Sequence, residues 1–170
     1  MRVAPLAIVL IAPVVSEGAQ DPSPLVHETV VEAPVEQVWA AWTTSAGLRA
    51  WLAPHADFEL RLGGKMRANY QADGVLGDAG TIENTILAFE PQRMLAIKVT
   101  KAPAGFPFPN AVERMWTVLY FTPASATRTH VRVVSLGFGS DAESRGMRDF
   151  FAEGNAATLS QLQALFQRPR

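Results

Sequence analysis

The chain has 170 residues, enough for one domain with a well-filled core. Hydrophobic residues make up 48% and charged residues 18%, and the net charge is −1, so neither a basic field for nucleic acid nor a strongly acidic one is present. There is no cysteine, which excludes thiol catalysis, disulfides and thiolate metal sites.

The N-terminus reads as an export signal. Arg2 gives a short positive start, Val3 to Val15 is apolar and uncharged, and Ser16-Glu17-Gly18 is a small-x-small cleavage pattern. The apolar run falls short of the ~20 residues that a membrane span needs, so no stable span is expected. Residues 1–18 are assigned as a signal peptide, residues 19–24 as a polar leader and residues 25–170 as a single domain. The implied location is periplasmic or secreted.

His27 to Val31 alternates polar and apolar residues and reads as a first strand, which Ala33-Pro34 breaks. Val35 to Trp42 and Ser45 to Leu52 follow as two short amphipathic helices. Ala56 to Leu62 is the next strand, with Phe58, Leu60 and Leu62 as its inward set. Gly63-Gly64 turns it into Lys65 to Tyr70. A Gly- and Asp-rich loop over Ala72 to Ala79 leads to a long strand, Gly80 to Glu90. Pro91-Gln92 turns that strand into Arg93 to Thr100. Ala102 to Asn110 holds three prolines and two phenylalanines with little period, and reads as a loop. Glu113 to Thr122 and Arg128 to Leu136 are the last strand pair.

Ser140 to Phe166 reads as one long helix. Ser140 and Glu143 form a Ser-x-x-Glu capping box, and Met147, Phe150, Phe151, Gly154, Thr158, Leu162 and Leu165 recur at helical spacing. Bulky residues occupy both ends of that face, while Gly154 and Thr158 lie between them. The gap marks either a hollow under the helix or a close approach of a strand.

No strand alternates with a long helix, and the links between strands are of hairpin length. An α+β fold follows: a curved antiparallel sheet with the long helix on its concave side.

The sequence resembles the START/Bet v 1-like (SRPBCC) superfamily, and within it the proteins similar to the C-terminal domain of the activator of Hsp90 ATPase. The residues that carry the likeness are Val31-Glu-Ala-Pro-Val-Glu-Gln-Val-Trp39, Thr43-Thr44, Leu48-Arg-Ala-Trp-Leu52 and Asp57 to Gly64, ending in Arg-Leu-Gly-Gly. Gly80-Thr-Ile82 and Phe89-Glu-Pro-Gln-Arg-Met-Leu95 complete it. The match spans about Val26 to Phe166. The resemblance implies a helix-grip fold, with a seven-stranded antiparallel sheet wrapped around the C-terminal helix. It implies no shared catalytic motif: some members bind hydrophobic small molecules, some are cyclases and some assist Hsp90. An exported N-terminus departs from the chaperone-assisting pattern, because Hsp90 works inside the cell.

The chemistry-bearing motifs are sparse. His55, Asp57 and Glu59 share one strand face, but strand rise spreads them over ~13 Å, too far for one zinc ion. No zinc-protease motif, serine elbow or phosphate loop occurs, and no metal or cofactor is expected. Arg67, Tyr70, Glu83 and Glu113 are candidates to point into the sheet's hollow, and a buried Glu83 would be an acid or base.

The candidate ligand-binding residues are Trp51, Tyr70, Phe106, Phe108, Trp116, Phe151, Gly154 and Thr158, with Phe106 and Phe108 as a gate. The leading expectation is a monomer that binds a small apolar or amphipathic molecule between sheet and helix. The alternatives are a metal-independent cyclase or hydrolase using the same cavity, and a protein-interaction module.

Overall fold

Seven alternating segments join into one antiparallel sheet. The structure, a computed structural model, describes residues 23–167. The assigned signal peptide and residues 19–22 of the leader lie outside the described residues.

The elements in chain order are β1 (Leu25–Val31), α1 (Val35–Thr43), α2 (Ser45–Trp51), β2 (His55–Phe58), β3 (Lys65–Asn69), β4 (Ile82–Glu90) and β5 (Met94–Lys101). A 3-10 turn (Val112–Arg114), β6 (Trp116–Ser125), β7 (Arg128–Leu136) and α3 (Ala142–Gln167) follow. The spatial order is β1-β7-β6-β5-β4-β3-β2. Strands β2 to β7 form a meander, and β1 pairs with the last of them, Leu25 opposite Ser135. The sheet curls into a half-barrel that holds α3: the helix-grip fold.

The local reasons are legible. Pro34 precedes α1 with its ring-fixed φ of −58°, and Val38, Trp39 and Trp42 are the face it buries. Thr44 ends α1 and starts α2, its Oγ1 accepting the Gly47 N–H at 2.9 Å. Gly137 lets the chain leave β7 sharply. Its φ is +86°, and a Cβ there would overlap the Arg114 carbonyl oxygen.

Three expectations are corrected. The strand expected over Ala56 to Leu62 ends at Phe58, and Leu60 and Leu62 are 40% and 67% exposed rather than inward. After Phe58 the backbone turns on itself, with Arg61 N bonded to the Glu59 carbonyl at 2.8 Å. The strand expected from Glu113 begins at Trp116, because Val112–Arg114 coils into the 3-10 turn. The Ser140/Glu143 capping box does not form. Asp141 caps α3 instead, its Oδ1 accepting the Ser144 N–H at 2.8 Å.

The core falls into two clusters. The larger lies under α1, α2 and the C-terminal half of α3, and includes Val38, Leu48, Ile86, Leu119, Leu159 and Leu162. The smaller gathers Ala111, Val112, Met115, Phe138 and Met147 around the start of α3. The helix is therefore anchored at both ends by buried side chains. Among the described residues no helix is long and apolar enough to cross a membrane.

Candidate functional site

Between the two clusters lies a partly open cavity of about 460 Å3, bounded by the concave face of the sheet, the 102–110 loop and the middle of α3. Ligand pockets commonly run from about 300 to 1,000 Å3, so the space suits a small organic molecule. Along α3 it reaches from Phe150 to Gln161, roughly 16 Å at 1.5 Å per residue.

The helix creates the space by omission. Gly154 lines the cavity, and a Cβ built there meets no heavy atom within 4 Å. Ala157 and Thr158 continue the small-residue stretch along the wall. The gap in the apolar face is therefore not a close strand contact: Gly154 and Ala157 are exposed residues on the open side of the cavity. Tyr70, Phe106, Trp116, Phe151, Gly154 and Thr158 all line it.

Trp51 and Phe108 do not line this cavity. Trp51 packs edge-on against Trp42, with ring centroids 4.8 Å apart, and donates Nε1–H to the Ala41 carbonyl at 3.1 Å. It joins α2 to α1 instead. Phe108 stands behind Phe106, ring centroids 5.8 Å apart, and fills the space that Gly146 leaves, where a Cβ would come within 2.9 Å of its ring. Phe150 meets both phenylalanines, at 5.6 and 5.9 Å, so three edge-to-face rings close the loop end of the cavity.

Strand parity sorts the remaining candidates. On β3, Met66 points to the cavity, while Lys65 and Arg67 point to the outer face. On β4, Ile82 and Asn84 line the cavity, while Glu83 faces outward and pairs with Lys65 at 2.8 Å. Arg67 grips Asp57 through Nε at 2.9 Å and also through Nη2, and that hydrogen bond raises the guanidinium pKa further. Glu113 is exposed on the 3-10 turn. Glu83 therefore has no place as an acid or base inside the hollow.

His55, Asp57 and Glu59 each meet a different partner. His55 Nε2 meets the Ala72 carbonyl at 3.1 Å, Asp57 holds Arg67 and Glu59 holds Arg61. Among the described residues no three such side chains cluster for a metal.

Among the described residues the cavity wall carries no carboxylate, lysine, arginine or histidine. Its one phenol among the described residues is Tyr70, a residue 59% exposed. Desolvation raises its pKa above the ordinary value. Tyr70 therefore stays neutral and the wall uncharged.

Polar groups are few. Asn155 donates Nδ2–H to Ser135 Oγ at 3.2 Å, and Ser135 lies 3.3 Å from Thr117 Oγ1. Asn84 is buried at 9% exposure. The buried Trp42 Nε1 has no hydrogen-bond partner among the described residues.

The family described as activator of Hsp90 ATPase homolog 1-like protein matches residues 32–167. The chain belongs to this family. It is similar in structure to protein MLL2253 from Mesorhizobium loti, at 24% identity and TM-score 0.66, over 87% of this chain and 99% of that one. It is also similar to the Aha1 dimer from Colwellia psychrerythraea, at 13% identity and TM-score 0.66, over 85% and 96%. DynU16, from the dynemicin biosynthetic locus, shares the fold at 17% identity and TM-score 0.61, over 83% of this chain and 46% of that one. At these identities the likeness shows the fold alone. No curated protein matches the sequence.

Within this activator-like family member, sequence reasoning missed Asn84, Asn155, Gln161 and Phe150 as cavity residues. Asn155 and Gln161 were findable, since both fall on the turns of α3 next to Gly154 and Thr158. Asn84 was not, because a polar residue between Glu83 and Thr85 reads as solvated.

Proposed function

We propose that this chain binds a small, neutral, largely apolar molecule in the space between the sheet and α3. The observation that carries the reading is a wall whose described residues are mainly apolar and include no charged group, around a cavity of about 460 Å3. A charged ligand would be buried there with no counter-charge, which costs far more than burying a neutral one. The helix-grip fold and family membership support ligand binding in general.

The cyclase or hydrolase alternative needs two ionisable groups converging on a substrate. Among the described residues the wall offers Tyr70 alone. Binding without turnover is therefore the better reading.

The proposal includes export through residues 1–18 and action as a monomer. Both rest on the sequence, and cell fractionation and light scattering test them.

The direct test is extraction. Protein purified without detergent is exchanged into volatile buffer, and its mass is measured under native conditions before and after solvent extraction. A neutral organic species released on extraction is expected. No bound species, together with no uptake of added neutral aromatic compounds, contradicts the reading.

A further inference from the structure

We infer that Asn84 is a recognition residue of this cavity, and that the occupant presents to it a neutral amide-like edge with a hydrogen-bond donor beside an acceptor. The inference rests on the binding reading above and adds the polar chemistry of the ligand.

Asn84 sits among apolar neighbours. Across the sheet it is flanked by Met66 on β3 and Val99 on β5, both also on the cavity wall. Along its own strand the same face carries Ile82 and Ile86. Its side chain is nine-tenths buried and lines the cavity. No hydrogen bond joins that side chain to any described residue.

A primary amide has two N–H donors and a carbonyl oxygen with two lone pairs. Left unpaired against hydrocarbon, these groups destabilise the fold, and native structures keep few of them. The other buried polar groups on the wall are handled differently. Asn155 donates one Nδ2–H to Ser135 Oγ, which lies within reach of Thr117 Oγ1, and Trp42 Nε1 is covered by its neighbours. Asn84 is open to the cavity and unmatched.

The residue type narrows the chemistry. Asparagine offers a donor and an acceptor on one edge and carries no charge. Its complement is another neutral edge of the same kind, such as a carboxamide, a lactam or an imide. A carboxylate or ammonium group would engage half of the amide and stay without a counter-ion. A pure hydrocarbon would leave the amide stranded.

Two probes of one shape test this: 2-naphthamide and 2-isopropylnaphthalene, each titrated by displacement of N-phenyl-1-naphthylamine. In Asn84→Leu the ratio of amide to hydrocarbon affinity is expected to fall roughly tenfold to a hundredfold against the unmodified chain. The leucine variant should also melt no lower, because an unpaired amide is removed. Asn84→Ser, smaller and still polar, should keep part of the amide selectivity and guards against a folding defect of the leucine variant. An unchanged ratio in both variants overturns the inference, leaving Asn84 as a group satisfied by water, while the binding reading stands. If the unmodified chain takes up neither probe nor the fluorophore, the binding reading fails and the inference falls with it.

Discussion

Glu143 holds Asn110 with both carboxylate oxygens: Oε1 accepts the Asn110 backbone N–H at 2.8 Å and Oε2 accepts its Nδ2 at 3.2 Å. Glu143 Oε1 also accepts the Ala111 N–H at 3.0 Å. The first turn of α3 thereby fixes the end of the loop that carries Phe106 and Phe108. These bonds, the one from Ala111 foremost, hold the Glu143 carboxyl below its ordinary pKa. The Ser144 N–H does the same for Asp141. A depressed carboxylate pKa contributes stability that is present above the unfolded value, about 4, and lost as pH falls through the folded one. Protection of the Asn110 and Ala111 amides from hydrogen exchange should therefore weaken as pH drops below about 4. Glu143→Ala should show that weakening already at neutral pH. Equal protection in the two proteins contradicts the tie.

Gly154 and Leu162 lie on the same helix with opposite consequences for packing. A methyl group at Gly154 meets open space, so Gly154→Ala should raise stability by about 0.4–1 kcal/mol through the unfolded chain. Leu162 is fully buried in the larger core cluster, and Leu162→Ala should cost about 2–5 kcal/mol. Urea unfolding of both variants measures the contrast. A destabilised Gly154→Ala would mean that the hollow is filled.

Phe106 and Phe150 are the cavity-facing members of the triple ring contact, and Phe106 is the one on the loop, so it governs passage at the loop end. Phe106→Ala should speed both uptake and release of N-phenyl-1-naphthylamine in stopped-flow fluorescence by several-fold, with a smaller change in affinity. Phe108→Ala should act less on the rates and more on stability, because its ring packs over Gly146 and not against the cavity. Identical rates in all three proteins would place the entrance elsewhere.

The uncharged wall sets a salt and pH signature. Affinity for a neutral probe should not fall between low and high ionic strength, because no ion pair is there to be screened. It should also stay level from about pH 5 to about pH 9, since Tyr70 ionises only above the ordinary tyrosine range of about 10. A steep loss of affinity inside that window would point to a titrating group on the wall.

The architecture was legible because its signals are redundant along the chain. The alternation of β7 agrees with the burial seen, and the period of α3 agrees with it at Met147 and Leu162, whereas Phe150 and Gly154 are exposed and the buried Leu159 falls outside the predicted face. Parity was the weak point. Glu83 was weighed as a buried acid, yet its neighbour Asn84 faces the cavity. From Ile82 to Ile86 β4 alternates without a break, but the strand carries polar and apolar residues on both faces, so the sequence does not announce which face turns inward. The helix cap moved by one residue for a similar reason. Ser140 and Asp141 are both good caps, and the turn at Gly137 together with the Arg114–Asp141 ion pair at 2.8 Å selects the aspartate. Leu60 and Leu62 kept a strand's alternation in a segment whose backbone leaves the sheet. Trp51 and Phe108 looked like pocket residues because aromatic side chains serve core and pocket alike.

The central claim is that α3 spans an open space at Gly154 that a neutral molecule enters. Titration of N-phenyl-1-naphthylamine into the unmodified chain and into Gly154→Phe tests it most directly, with circular dichroism to confirm that both are folded. Saturable fluorescence enhancement in the first protein and its loss in the second, at equal helical content, is the predicted result. Equal enhancement in both, or none in the unmodified chain, would contradict it.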